Sequence, residues 1–445
     1  MSALLIASLK GHTCCVKALV EAGADIFAED KRSRSSLIAV SAHGYTSCLS
    51  ILLLYCTEIE REIQGGIALL SAVANNQLDC VKLLVESGAD MNARDVGTQT
   101  PLMLACKYGY VDIVRTLMQA GADINSRDCN CKTALIVSAA NNQAECLEAL
   151  VEVSKDGNIV ADLEAQEMKY GSTALILASS RGYTECVKLL LFAGASVDTR
   201  DNFGRTALIA ASTGHLSCVS LLVSHHANTN ITDSNGISAA MVASLHGKDD
   251  ILKILIENGA SVQMSDGSGR TALILACCKG HEECTELLLA NGADSTSVDC
   301  VGRNTLLLAS YRHPSCVRVL LKYGSDVNNR ERKFGGTPLM TACFGGNSEC
   351  LRILIKHGAN LNTTDLLGRT ALMMACSEGH LECVQILLEN GADADVQESS
   401  FRMTALMLAN EGGHKECVEA LLKYGADKFK CGNESMNAAT FAIEK

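Results

Sequence analysis

Tryptophan is absent from this chain of 445 residues, and Phe and Tyr together bring the aromatic share to only 4%. A large aromatic core is thereby excluded, as is a stacking platform for nucleic-acid bases. No basic run occurs. The net charge is −12 with a pI near 5.4, and a polyanion attracts phosphates poorly, so no nucleic-acid partner is expected. No apolar stretch reaches the ~18 residues that a membrane span needs, so no membrane insertion is expected either. The opening Ser2-Ala-Leu-Leu-Ile-Ala is short, lacks a basic lead and aligns with later segments, so it reads as a repeat helix rather than a signal peptide. Proline occurs three times, and Pro101 and Pro338 stand where a helix starts and a missing N–H costs nothing.

What is there is repetition. The segment TALILASSRGYTECVKLLLFAGASVDTRDNFGR from Thr173 aligns with segments from Thr206, Thr271 and Thr370. Equivalents of the leading Thr fall at Ser2, Ser35, Ile67, Thr100, Thr133, Thr173, Thr206, Ser238, Thr271, Asn304, Thr337, Thr370, Thr404 and Asn437. The gaps are 32 to 34 residues, with one exception of 40, giving thirteen repeats and a terminal half-repeat. Such a unit is too small to bury its own apolar face and must stack on its neighbours.

Within one unit, Thr173 is placed to cap a first helix, with Leu175 and Ala178 facing inward. Gly109, Gly182, Gly280 and Gly379 end that helix. In the second helix Cys186, Val187, Leu190 and Leu191 share a face, with Glu185 and Lys188 outside. Gly88, Gly121, Gly194, Gly292 and Gly391 stop it, and Gly97, Gly204, Gly236, Gly269, Gly302 and Gly368 mark a short turn before the next Thr. Glycines at turns need no phosphate to explain them.

Two helices and a turn at this period, with Thr-Pro-Leu at Thr100 and Thr337, resemble the ankyrin repeat over essentially the whole chain. The resemblance implies an all-α ankyrin-repeat solenoid, with a β-turn or hairpin in each unit, whose function is to bind proteins. One departure is systematic. The family usually carries His after Thr-Pro-Leu, bonded to nearby backbone; here that slot holds Met103, Ile136, Ile176, Ile209, Ile274, Met340, Met373 and Met407. Those bonds must be replaced or lost. The Glu-Cys-Val signature further resembles the expanded ankyrin families of flagellate protists.

Twenty-two cysteines raise the question of disulfides or zinc. Eleven share one slot in the second helix: Cys15, Cys48, Cys80, Cys146, Cys186, Cys218, Cys284, Cys316, Cys350, Cys383 and Cys417. Stacked helices lie about 8–10 Å apart, beyond the ~7 Å that a disulfide allows between Cα atoms. Cys106, Cys277, Cys343 and Cys376 repeat late in the first helix. All read as small buried hydrophobes in a reducing, cytoplasmic compartment, the alternative being a redox-sensing ladder. Cys129-Asn-Cys131 stands alone and there is no CxxC pair, so no metal is expected.

No catalytic set survives inspection. His281-Glu-Glu-Cys lacks the second His of a zincin. The Gly-His pairs at His12, His215, His281, His380 and His414 read as local turn residues, and His225-His226 as a variant helix stop. Asp266-Gly-Ser-Gly-Arg270 lacks the Lys and preceding strand of a phosphate loop. The chain reads as a non-enzyme with no cofactor and no small-molecule substrate.

Binding is expected where residues depart from what the fold requires. Apolar residues stand at turn tips (Phe203, Val301, Phe334, Leu367, Phe401), flanked by Arg205, Arg270, Arg303 and Arg369. Tyr108, Leu245, Tyr311, Arg312 and Phe344 sit on the last turn of the first helices. Exposed aromatics and Arg commonly anchor protein interfaces. The bland alternative is that tip residues pack on one another and Arg pairs with Asp201, Asp299 and Asp365.

The expected organisation is an N-terminal stack of five repeats (1–153), an expanded connection (154–172) and a C-terminal stack of eight repeats with a capping half-repeat (173–445), as one continuous solenoid. The expanded connection reads as a hinge, a protease-sensitive site or a partner hook. Between Tyr55 and Gly66 the usual Gly-Ala-Asp stop is missing, so repeats two and three should join irregularly. The chain opens directly inside a helix, an abrupt start that leaves room for a preceding region. The function expected is a protein-interaction scaffold or adaptor; the alternatives are a regulatory or targeting subunit of a kinase or ubiquitin-ligase complex, or a cytoskeletal anchor.

Overall fold

The structure, a computed structural model, describes residues 2–31, 33–152 and 161–432. Among them are 26 helices and no strand, only isolated antiparallel bridges such as Ser265 with Thr271. The chain forms two compact units, Met1–Ala211 with His215–Asn228, and Ser212–Gly214 with Thr229–Lys445. Each is a stack of two-helix layers, as the repeat predicts.

The layer beginning at Thr173 shows why the sequence folds this way. The Thr173 hydroxyl accepts the Ile176 N–H at 3.3 Å and so caps helix Ala174–Arg181. A cap of this kind is worth about 1 kcal/mol. The equivalent Ser2, Thr100, Ser238, Asn304 and Thr404 make the same bond. Gly182 closes the helix in a left-handed conformation with φ of +71°. Helix Thr184–Phe192 then buries Cys186, Val187, Leu190 and Leu191 and leaves Glu185 and Lys188 outside.

Ten of the eleven cysteines in the second-helix slot are buried, and Cys15 is the exception. The slot faces the preceding layer, as the approach of Cys186 Sγ to Asn142 Oδ1 at 3.8 Å shows. Cys15, in the first described layer, is exposed. All 22 thiols are free. Burial drives the Cys186 thiol up to about 11 and Cys284 to about 12, in both cases with a smaller push from nearby carboxylates.

Four of the five Gly-His histidines are not local, and His313, which follows Arg312, holds the same slot. His215 bonds through Nε2 to the Ser180 carbonyl at 3.2 Å, His281 to Leu245, His313 to Cys278, His380 to Phe344 and His414 to Ser377, each in the preceding repeat. The ring lies directly on the glycine that ends the preceding first helix: a Cβ on Gly182 would stand 2.3 Å from His215 Nδ1. This ladder supplies a histidine-to-backbone bond between layers, while the Ile and Met of the family's histidine slot are buried instead.

Repeats two and three join without a turn. A single helix, Glu58–Ala74, runs through the position where a tip would be. It starts at a capping box, with the Thr57 N–H donating to Glu60 Oε2 at 2.8 Å and the Glu60 N–H to Thr57 Oγ1 at 3.3 Å. The expanded connection at 154–172 falls partly on 153–160, which lie outside the described residues. Its remainder is an ordinary tip, in which the Glu167 carboxylate accepts the Lys169 and Tyr170 N–H groups.

Candidate partner-binding surface

Each described tip is built around one acid, half-buried at Asp30, Asp95 and Asp233 and buried at the others. Asp299 Oδ1 accepts the N–H of Val301 at 3.0 Å and of Arg303 at 2.9 Å, and Oδ2 receives Nε of Arg303 at 2.9 Å. Asp201 with Arg205, Asp266 with Arg270, and Asp365 with Arg369 repeat this arrangement. Burial raises the Asp299 carboxyl, yet the Arg303 N–H and guanidinium outweigh it and hold it below the usual range. The four candidate arginines therefore have a structural role, and each still keeps part of its guanidinium in solvent.

Adjacent tips are sewn together by backbone. Within the first unit the Asn202 N–H donates to the Tyr170 carbonyl. Within the second, Cys300 donates to Ser268, Leu366 to Phe334, and Ser399 to Leu367. Phe334 and Leu367 thus spend their carbonyls on the fold while their side chains stay outside, at 53% and 46% exposure.

The remaining candidates are placed as follows. Phe203 is exposed, tilted on Tyr170 with ring centroids 6.1 Å apart and the Arg205 guanidinium 5.2 Å from its ring centre. Tyr108 is exposed beside Tyr110, and Phe401 is exposed with its N–H bound to Glu398. Leu245 is half-buried, and its carbonyl accepts His281. Tyr311 and Phe344 are both exposed, 6.5 Å apart, with Arg312 over the Tyr311 ring at 4.9 Å.

Five of these residues converge. Val301, Arg303, Phe334, Phe344 and Arg369 line one open cleft of about 490 Å³ in the second unit. Its floor is Leu307 and Met340, with Thr341 and Met374 alongside. Sequence reasoning missed these four as site residues. Leu307 and Met340 lie three positions after Asn304 and Thr337, the slot where the family pattern carries histidine. An apolar residue there serves both as core and as the bottom of the cleft. Phe203, Arg205, Arg270, Tyr108, Leu245, Leu367, Phe401, Tyr311 and Arg312 are not part of its lining.

Among the described residues, no three of His, Cys, Asp and Glu are grouped to hold a metal ion, and no helix is long and apolar enough to cross a membrane. The cleft offers apolar contact rimmed by guanidinium groups, which suits a protein side chain.

A family model described as ankyrin repeats in three copies matches residues 4–95, 37–128, 102–201, 193–266, 241–331 and 327–398, and a single-repeat model matches 401–433. The chain is 36% identical to B-cell lymphoma 3 protein homolog of Mus musculus over 106 residues, 23% of this chain and 24% of that protein. It is 33% identical to ankyrin repeat and SOCS box protein 16 of Homo sapiens over 84 residues, 19% of this chain and 18% of that protein. The chain thus spans about a quarter or less of the length of these curated relatives.

Proposed function

The chain belongs to the ankyrin-repeat family, and on that premise we propose that it is a non-catalytic scaffold or adaptor that seats a partner protein on its turn tips and first helices. The observation that carries this reading is the convergence of Val301, Arg303, Phe334, Phe344 and Arg369 around one apolar cleft. A large apolar side chain of the partner fills it, and the guanidinium edges orient the partner's backbone or acidic groups. Aromatic and Arg anchors around a desolvated pocket commonly hold most of an interface's energy. The working compartment is the reducing cytosol, consistent with fifteen buried free thiols.

The test is affinity purification from native cytosol with wild type beside a Phe334→Ala, Phe344→Ala variant. A partner kept by wild type and lost by a variant of unchanged thermal stability supports the cleft. Partners kept equally by both would refute it.

A further inference from the structure

Helix Glu58–Ala74 replaces a tip, and it exposes what a tip does not: three isoleucines in line. Ile59, Ile63 and Ile67 follow one another at i, i+4 and i+8 and remain 70%, 58% and 43% exposed. The row is about 12 Å long at 1.5 Å per residue, two turns of a helix. Isoleucine is a poorer helix former than Ala, Leu or Glu, so local helix stability does not explain three of them on an outer face.

The helix is fixed in place. Gly65 and Gly66 lie so close to the next turn that added Cβ atoms would stand 3.0 Å from Ala89 Cβ and 2.8 Å from Ala93 Cβ. The Asp90 N–H donates to the Glu62 carbonyl at 3.1 Å. The stripe is therefore presented on a rigid support.

The charged side chains that flank it on its own helix are mostly carboxylates. Glu58 and Glu62 are exposed along one edge, and half-buried Glu60 lies along the other, where Asp25 adds a further carboxylate. The one cation of this stretch, Arg61, is turned back onto the Leu53 carbonyl at 3.0 Å. A second copy of this chain would bring the same carboxylates against themselves in a two-fold contact. An anionic membrane surface would be repelled in the same way.

We propose that the Ile59–Ile63–Ile67 stripe is a second docking surface, independent of the cleft, which takes a basic amphipathic helix of a partner protein. Apolar side chains spaced three and four apart on that helix lie along the isoleucines. Lys or Arg residues on its flanks face Glu58, Glu60 and Glu62.

The test uses a helical peptide of about 18 residues with Leu along one face and Lys on both flanks, and a counterpart with Glu flanks. Both are titrated by fluorescence anisotropy into the full chain. Wild type should bind the Lys peptide at least ~10-fold more tightly than the Glu peptide. Ile59→Ser, Ile63→Ser should weaken it by ~10-fold or more, and Glu58→Lys, Glu62→Lys should reverse the preference. Phe334→Ala, Phe344→Ala should bind as wild type does. The proposal fails if the serine variant keeps wild-type affinity, if the charge-reversed variant still prefers the Lys peptide, or if the Lys peptide shows no saturable binding. Should the serine variant lose its fold, the charge-reversed variant decides alone.

Discussion

His313 bonds through Nε2 to the carbonyl of Cys278 at 3.1 Å, one repeat back, with its ring against Gly280. Burial holds this imidazole below its usual pKa, and His281 and Arg312 push it further down, against a smaller raising effect of the Cys278 bond. The unfolded chain, with an ordinary value of about 6.5, then binds the proton more readily than the folded one. Stability from this site is complete above that value and is lost as pH falls from it toward the folded pKa. Urea midpoints measured from pH 7.5 down to 5 should decline. His313→Gln should make the decline shallower; the same slope in the variant would remove His313 from the explanation. Gln77 and Gln143 already occupy this slot elsewhere.

Asp299 holds two backbone N–H groups and one guanidinium while buried. Asp299→Ala leaves those donors without their acceptor and should destabilise the fold by roughly 1–3 kcal/mol. Asp299→Asn keeps one acceptor oxygen and should cost less. A denaturation midpoint unchanged in the alanine variant would contradict this account of the tip.

Thiol accessibility gives a count. Cys14, Cys15, Cys129, Cys278, Cys300 and Cys431 are exposed, Cys131 is half-buried and the other fifteen are buried. Burial raises the Cys146 thiol to about 11, with a further push from Glu145. An aromatic disulfide reagent should label the six exposed cysteines quickly in native protein and all 22 in denaturant. Rapid labelling well beyond Cys131 would show that the layers open.

The two buried cysteine slots should respond oppositely to the same substitutions. Cys343 shares its place with Ser310, whose hydroxyl reaches the Leu306 carbonyl at 2.6 Å, and with Ser8, Ser41, Ser179 and Ser244, whose buried hydroxyls make no hydrogen bond among the described residues. The slot already accepts a hydroxyl in several repeats, bonded or not, so Cys343→Ser should cost only about 1 kcal/mol. The second-helix slot holds only cysteine apart from Ile113 and Ile251. There Cys383→Ser should cost about 1–3 kcal/mol and Cys383→Val less. Calorimetric melts of the four single variants, with Cys343→Val as the fourth, would expose a reversed order in either slot.

Legibility in the sequence followed the reach of each interaction. Thr173 capping Ile176 and Cys186 facing inward involve neighbours three or four positions apart, and period and residue type display them directly. The His313 bond spans 35 residues, and its Gly-His equivalents look like local turns until the preceding carbonyl is placed beside them. Arg205, Arg270, Arg303 and Arg369 could be read as partner anchors or as ion pairs, and the buried Asp four residues earlier resolves their structural half. The cleft floor at Leu307 and Met340 was visible only as an exception to a family pattern. Tyr55 to Gly66 read as a broken join, although Thr57 and Glu60 held the signature of a helix start.

The bonds that tie layer to layer, histidine to carbonyl and tip to tip, each reach about one repeat along the chain. Copying or excising a whole unit of about 33 residues would return equivalent donors to equivalent acceptors, so an array of this kind can change length by recombination without a mismatched seam. The Glu58–Ala74 helix is the exception. A unit cut there would carry half a helix and no tip, so among the described residues this stretch is where the array resists being spliced.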